Sequence, residues 1–178
     1  MRLFLAIELP VEVKEKIEKA ILSLKREYPQ FSWVDKENFH ITLYFYGEIS
    51  RPEKIVKRLK ERLYQQPSFY LYFRSGDLFL NQKITLYLNF LREKKLENLV
   101  EQIKSPSHIK NKQKFIPHLT IARAKKSSKQ QYLHLKKKLE KINLELSFLV
   151  NKITLFQSIL TGKKPVYKEI VQIPLISQ

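Results

Sequence analysis

The residues best suited to chemistry come in two short strings, HITLYF from His40 to Phe45 and HLTIAR from His118 to Arg123. Each sets a histidine two residues before a threonine, inside a run that reads as a β-strand. Side chains alternate along a strand, so residues i and i+2 share a face. His40 then shares a face with Thr42 while Ile41 and Leu43 point into a core. His118 shares one with Thr120, with Leu119 and Ile121 behind. Four histidines in 178 residues make two such coincidences improbable. The other two, His108 in a polar stretch and His134 in a basic helical pattern, have no threonine partner and read as surface residues.

Histidine, with an unperturbed pKa of about 6.5, gives or takes protons near neutrality. Two imidazoles flanking a reacting centre can divide the work, one accepting a proton from the nucleophile and one donating to the departing oxygen. The hydroxyls of Thr42 and Thr120 add hydrogen-bond donors between them. A phosphate suits that geometry, because charge developing on its oxygens needs preplaced donors. The expectation is transfer at phosphorus with no metal, no cofactor and no covalent enzyme intermediate. Zinc and iron sites take three or four ligands, whereas the chain has no cysteine and neither string carries a carboxylate at strand spacing. Only three glycines are present, which leaves no Gly-rich phosphate loop and excludes an ATP-dependent enzyme of that kind.

Arg123 could grip a phosphate oxygen through its planar fork. Strict alternation from His118, however, turns it to the side of Leu119 and Ile121. It reaches the site only if the strand bends, bulges or ends near Ala122. Trp33, Phe39, Tyr44, Tyr46, Phe115 and Phe156 are the aromatics near the strings. Alternation puts Tyr44 and Tyr46 on the His40 face as candidates to stack a base, and Phe39 and Phe45 on the core side.

Elements must hold these strings in place, and hydrophobic patterning alternates strands with amphipathic helices. It predicts strands over Arg2–Glu8, Phe31–Val34, Phe39–Tyr46, Phe69–Phe73, Asp77–Leu80 and Lys83–Phe90. Turns are expected at Asp35–Asn38, Ser75-Gly76 and Asn81-Gln82. Helices are expected over Val11–Glu27, Pro52–Tyr64 and Glu93–Ile103. After a polar loop from Ser105 to Gln113 come a strand over Phe115–Arg123 and a basic helix over Ser127–Lys141. Strands over Leu144–Val150, Lys152–Ile159 and Val166–Ile173 follow. The two strings stand 78 positions apart, each on a strand followed by a helix, which suggests two similar lobes facing one another. No low-complexity linker divides the chain, so residues 1–178 read as one bilobal domain.

Lysine and arginine number 34 against 17 acidic residues, a formal net charge of +17 and a pI near 9.9. Such an excess attracts polyanions and favours nucleic acid as partner or substrate. Many lysines, among them Lys14, Lys16, Lys19, Lys57, Lys60, Lys136, Lys137 and Lys138, fall at polar helix positions and read as solvated, so useful charge must be argued locally. The absence of cysteine fits a reducing cytoplasm. MRLFLAIELP is too short for a signal h-region, and no stretch is long enough to cross a bilayer. A soluble cytoplasmic monomer with no membrane partner is expected.

Taken together, the strings resemble those of the 2H phosphoesterases, and within them the RNA 2′,3′-cyclic phosphodiesterases also called 2′-5′ RNA ligases. MRLFLAIELP looks like that family's opening strand, WVDKENFHITLYFYGEI like its first motif block and FIPHLTIAR like its second. ITLFQSIL, with Pro165, Val166 and Tyr167, resembles its C-terminal segment. The resemblance implies an α+β fold of two similar lobes, each an antiparallel sheet backed by helices, with the site in the cleft between. It implies hydrolysis of RNA 2′,3′-cyclic phosphate ends to 2′-phosphates, tRNA fragments being among the candidate RNAs, and 2′-5′ joining in reverse. By the same resemblance His40 is the proton donor, His118 the proton acceptor, and Thr42, Thr120 and Arg123 hold the phosphate. Two other readings stand beside it. One is a phosphodiesterase for small cyclic nucleotides or an ADP-ribose cyclic phosphate; the other is a non-catalytic single-stranded RNA-binding module.

Overall fold

Strand β1 (Arg2–Glu8) sets the frame, because its apolar residues cover both faces. Leu3, Leu5 and Ile7 are at most 1% exposed on one side, and Phe4 and Ala6 are buried on the other. Full burial of one such side chain stabilises by roughly 1.5–3 kcal/mol, which makes a strand like this central rather than an edge. The computed structural model describes residues 1–80, 83–104, 115–125, 128–162 and 164–177. Around β1 lie β2 (Ser32–Trp33), β3 (His40–Glu48), β4 (Phe69–Leu80), β5 (Ile84–Phe90), β6 (His118–Ala124), β7 (Ser147–Val150), β8 (Lys152–Leu160) and β9 (Pro165–Pro174).

These strands form one antiparallel sheet in the order β7-β4-β5-β6-β3-β1-β8-β9, with β2 added beside β6. Read outward from its middle, the order is β3-β1-β8-β9 one way and β6-β5-β4-β7 the other. The two motif strands are therefore the innermost strands of two four-stranded halves. Their junction is narrow: Ile41 opposite Leu119 is its registered pair, and both residues are fully buried. The α+β class and the two antiparallel halves agree with expectation, although a single sheet runs through both.

Among the described residues four α-helices bury the apolar stripes that the periodicity predicts. Helix α1 (Val11–Glu27) buries Val13, Ile17, Ile21 and Leu24. Helix α2 (Pro52–Leu63) opens on proline, where the missing N–H costs nothing, and buries Leu59 and Leu63. Helix α3 (Lys94–Ile103) buries Leu96, Leu99, Val100 and Ile103. Helix α4 (Lys129–Glu140) starts with a capping box between Ser128 and Gln131 and buries Leu135 and Leu139. Their apolar residues join Leu3, Leu5, Leu86 and Leu119 in one contiguous core.

Several boundaries differ from the sequence reading; β2, for one, covers Ser32–Trp33 rather than Phe31–Val34. Ser75-Gly76 is not a turn; β4 runs unbroken from Phe69 to Leu80. Gly76 serves helix packing instead, since a Cβ there would meet the Leu139 carbonyl oxygen of α4 at 2.6 Å. The ladder of β6 begins at His118 rather than Phe115, because Pro117 has no N–H to contribute. β7 begins at Ser147 rather than Leu144. The expected Asn81-Gln82 turn, the loop from 105 to 113 and His108 lie outside the described residues. No described helix is long and apolar enough to cross a membrane.

Candidate active site

Antiparallel strands meet in opposite directions, so one step either way from the Ile41–Leu119 pair brings His40 level with Thr120 and Thr42 level with His118. Each histidine thus faces the other string's threonine, and the two motifs form one cluster across the junction. Both imidazoles are anchored alike. His40 Nδ1 lies 2.7 Å from the Asn38 carbonyl oxygen, and His118 Nδ1 lies 2.8 Å from that of Ile116. A carbonyl can only accept, so Nδ1 carries the hydrogen in both rings and Nε2 is left for proton transfer.

Aromatic walls repeat the symmetry. Phe4 and Tyr167 each stand 5.1 Å from the His40 ring, Tyr167 edge-on. Phe79 and Tyr87 stand edge-on to His118 at 5.1 and 5.5 Å. Phe4 reaches His40 over the small Ala6, and Phe156 stacks behind it at 5.4 Å. The η1 turn (Lys36–Asn38) is tied to the β8–β9 hairpin, which fixes the Tyr167 wall. Lys164 bonds both oxygens of Asp35 at 2.7 and 2.8 Å, and Asn38 Nδ2 donates to the Pro165 carbonyl. Sequence reasoning missed Phe4, Phe79, Tyr87 and Tyr167 because contacts between strands distant in sequence place them. Tyr167 alone had a signal, in the C-terminal segment.

Arg123 is decided by a bulge. β5 pairs Thr85 with Arg123 and Leu86 with Ala122, then Tyr87 with Thr120, leaving Ile121 as an extra residue. Ile121 and Ala122 are consequently both buried, and Arg123 returns to the face of His118 and Thr120. The bulge is held by β2: Trp33 pairs with Ala122, and the Val34 N–H donates to the Ile121 carbonyl at 2.9 Å.

β3 carries two bulges of its own. β1 pairs Ala6 with Thr42 but Leu5 with Tyr44, and Phe4 with Phe45 but Leu3 with Gly47, so Leu43 and Tyr46 are extra. This corrects the base-stacking candidates. Tyr44 lies opposite Leu5 and packs on the core, with the Tyr46 ring 4.8 Å away. Burial pushes the Tyr46 hydroxyl up to about 12, opposed by Arg58 and Arg62 of α2, which puts it on the helix side. Phe45 is the residue on the His40 face, 67% exposed and 5.9 Å from Phe4. Phe39 is core, as expected, at 1% exposure.

Burial holds the pKa of both histidines below the ordinary value of 6.5, opposed by their backbone hydrogen bonds. The Arg123 charge pushes both the same way, and that of His118 acts on His40, so these three groups share one electrostatic site. Lys14 adds to the positive field at His40 while pairing with Glu8 at 3.6 Å. Among the described residues no three of His, Cys, Asp or Glu converge as metal ligands. His134 is exposed on α4, away from the site. The cluster combines two proton carriers, two hydroxyls and a guanidinium within aromatic walls, which is a complement for a phosphodiester.

The family model of the 2′-5′ RNA ligase superfamily matches residues 12–160. Proteins named RNA 2′,3′-cyclic phosphodiesterase are similar nearly end to end. The one from Methanocaldococcus jannaschii is 33% identical over 96% of this chain and 98% of its own. The one from Thermotoga maritima is 29% identical over 94% and 92%. Among solved structures, apo LigT of E. coli superposes with a TM-score of 0.72 at 26% identity, covering 99% of this chain and 98% of LigT. LigT complexed with 3′-AMP, at 23% identity and a TM-score of 0.74 over 98% and 97%, shares the fold.

Proposed function

The chain belongs to the 2′-5′ RNA ligase superfamily, and on that premise we propose that it hydrolyses RNA 2′,3′-cyclic phosphate ends to 2′-phosphates by acid–base catalysis without metal. The observation that carries the reading is the paired anchoring: two imidazoles with Nδ1 tied to a carbonyl, each level with the other motif's threonine, under one arginine's field. The names of the similar proteins support the substrate class. In the reaction, His118 Nε2 takes a proton from water as its oxygen bonds to phosphorus. The bond from phosphorus to O3′ breaks, and His40 Nε2 donates its proton to O3′. Thr42, Thr120 and Arg123 hold the non-bridging oxygens as their charge grows. The roles of donor and acceptor follow the family resemblance, since both histidines are anchored alike.

The same two groups serve 2′-5′ ligation when a 5′-hydroxyl takes the place of water: His118 accepts its proton as its oxygen bonds to phosphorus, the bond from phosphorus to O3′ breaks, and His40 protonates O3′, leaving a 2′-5′ phosphodiester. The test is direct. Purified protein in EDTA, given cyclic-phosphate-ended oligonucleotides and 2′,3′-cyclic mononucleotides, should release 2′-phosphates. Release of 3′-phosphates, or activity lost in EDTA and restored by one particular metal, would overturn the reading.

A further inference from the structure

The sheet face that carries His118 continues beyond the site. His118 pairs with Asn89 on β5, and Asn89 pairs with Ser75 on β4, so the three share one face. Arg74, just before Ser75, is the extra residue of a bulge, while Phe73 turns back to the core opposite Phe90. Alternation then returns Tyr72 and Tyr70 to the His118 face, opposite Ser147 and Leu149 of β7. Two tyrosines, 49% and 51% exposed and with ring centroids 6.3 Å apart, stand there side by side. Arg74 is exposed beside them, and among the described residues no carboxylate pairs with it. Helix α4 packs at Gly76 on the opposite face and does not cover them.

We propose that Tyr70, Tyr72 and Arg74 form a platform for the single-stranded RNA leading away from the end held at the histidines. The inference rests on the function proposed above and extends it from the reacting phosphate to the strand. Ser75 of β4 lies two strands from His118, about 10 Å, and Tyr72 stands three residues further along β4, about another 10 Å, so a chain whose last phosphate sits at His118 reaches the platform within a few nucleotides. Aromatic rings two residues apart on an exposed sheet face stack successive bases without regard to sequence. A guanidinium with no carboxylate partner supplies the phosphate contact between them. The +17 charge favours a polyanion as the occupant.

The test compares two substrates and one binding measurement. The Tyr70→Ala/Tyr72→Ala variant should raise KM for a cyclic-phosphate-ended oligonucleotide by roughly tenfold or more, leaving kcat/KM for a 2′,3′-cyclic mononucleotide unchanged. Tyr72→Phe, which keeps the ring, should behave as the parent. Arg74→Gln should weaken oligonucleotide binding and lower its salt slope by somewhat under one. Binding of a fluorescent oligonucleotide with a 2′-phosphate end is followed in parallel by anisotropy. If the parent hydrolyses no cyclic phosphate yet the double variant loses that binding, the platform stands and the proposed reaction falls. If hydrolysis is intact and the double variant binds and turns over oligonucleotides like the parent, the platform is overturned. A change confined to sedimentation, from dimer to monomer, would overturn it too, by assigning the tyrosines to a second copy.

Discussion

On the proposed mechanism the imidazoles carry opposite duties with identical anchors, so their replacement should cost turnover rather than affinity. His40→Ala and His118→Ala should each lower kcat by about 10²–10⁴-fold while oligonucleotide binding stays near that of the parent, because each group acts in the transition state. Single-turnover hydrolysis beside equilibrium binding checks this, and undiminished hydrolysis in either variant would remove the two-histidine mechanism. Burial sets the pH behaviour. Both histidines titrate below 6.5 in the fold, so the acid limb of kcat/KM should lie below that value, and the pair, not either residue, owns both limbs. A bound phosphodiester brings negative charge that favours the protonated donor, so the basic limb should sit higher in kcat than in kcat/KM. The same depression makes a stability prediction. The unfolded chain binds more protons than the fold between the two values, so the contribution is full above about pH 6.5 and is lost as pH falls through the window. Thermal melts of His40→Gln and His118→Gln should therefore fall less steeply with acidification than those of the parent.

At the scale of elements, one inserted residue sets the direction of Arg123 and with it the proposed phosphate contact. The bulge at Ile121 turns Arg123 toward the histidines, and the Val34 amide satisfies the carbonyl it frees. Arg123→Lys keeps the charge but loses the two parallel hydrogen bonds of the fork, so KM should rise alike for a cyclic mononucleotide and an oligonucleotide. Parent-like constants for both would leave Arg123 a solvated strand-end residue. Packing between β4 and α4 makes a second test. Gly76→Ala puts a Cβ against the Leu139 carbonyl, where backbone and not a flexible side chain must yield. Overpacking of that kind should cost about 1–3 kcal/mol, read from denaturant midpoints, with little change in kcat because Gly76 lies on the face away from His118.

For the whole molecule, the +17 charge acts at long range and the site at short range. On the proposed function, exposed lysines and arginines should attract RNA through counterion release, which salt weakens, whereas contacts to a cyclic phosphate inside the walled site should be screened far less. Raising salt should increase KM for a long RNA much more than for a cyclic mononucleotide, with kcat nearly constant. Equal sensitivity of the two would deny the charge any special part in capturing RNA. A few of these cations also pair between elements of the protein itself. Lys164 pairs with Asp35, and Lys138 with Glu27. Such exposed pairs contribute little stability individually.

The sequence by itself determined the elements and which residues are candidates for chemistry. Period-two and period-3.6 patterns depend on neighbours within one segment, so α1, α2, α3 and β1 were legible, as was the pairing of each histidine with its threonine. Tertiary structure decided which way the chain faces beyond each motif. Bulges at Leu43, Tyr46 and Ile121 exist only against a partner strand, and each reverses the parity on which alternation relies. That reversal brought Arg123 to the site, sent Tyr44 and Tyr46 to the helix side and replaced them with Phe45. Gly76 lies within a strand rather than at the expected turn for a like reason, since the helix backbone that demands a glycine comes from more than sixty residues further along. The walls of the histidines, Phe4 with Tyr167 and Phe79 with Tyr87, join strands far apart in sequence, and only the sheet order brings them together.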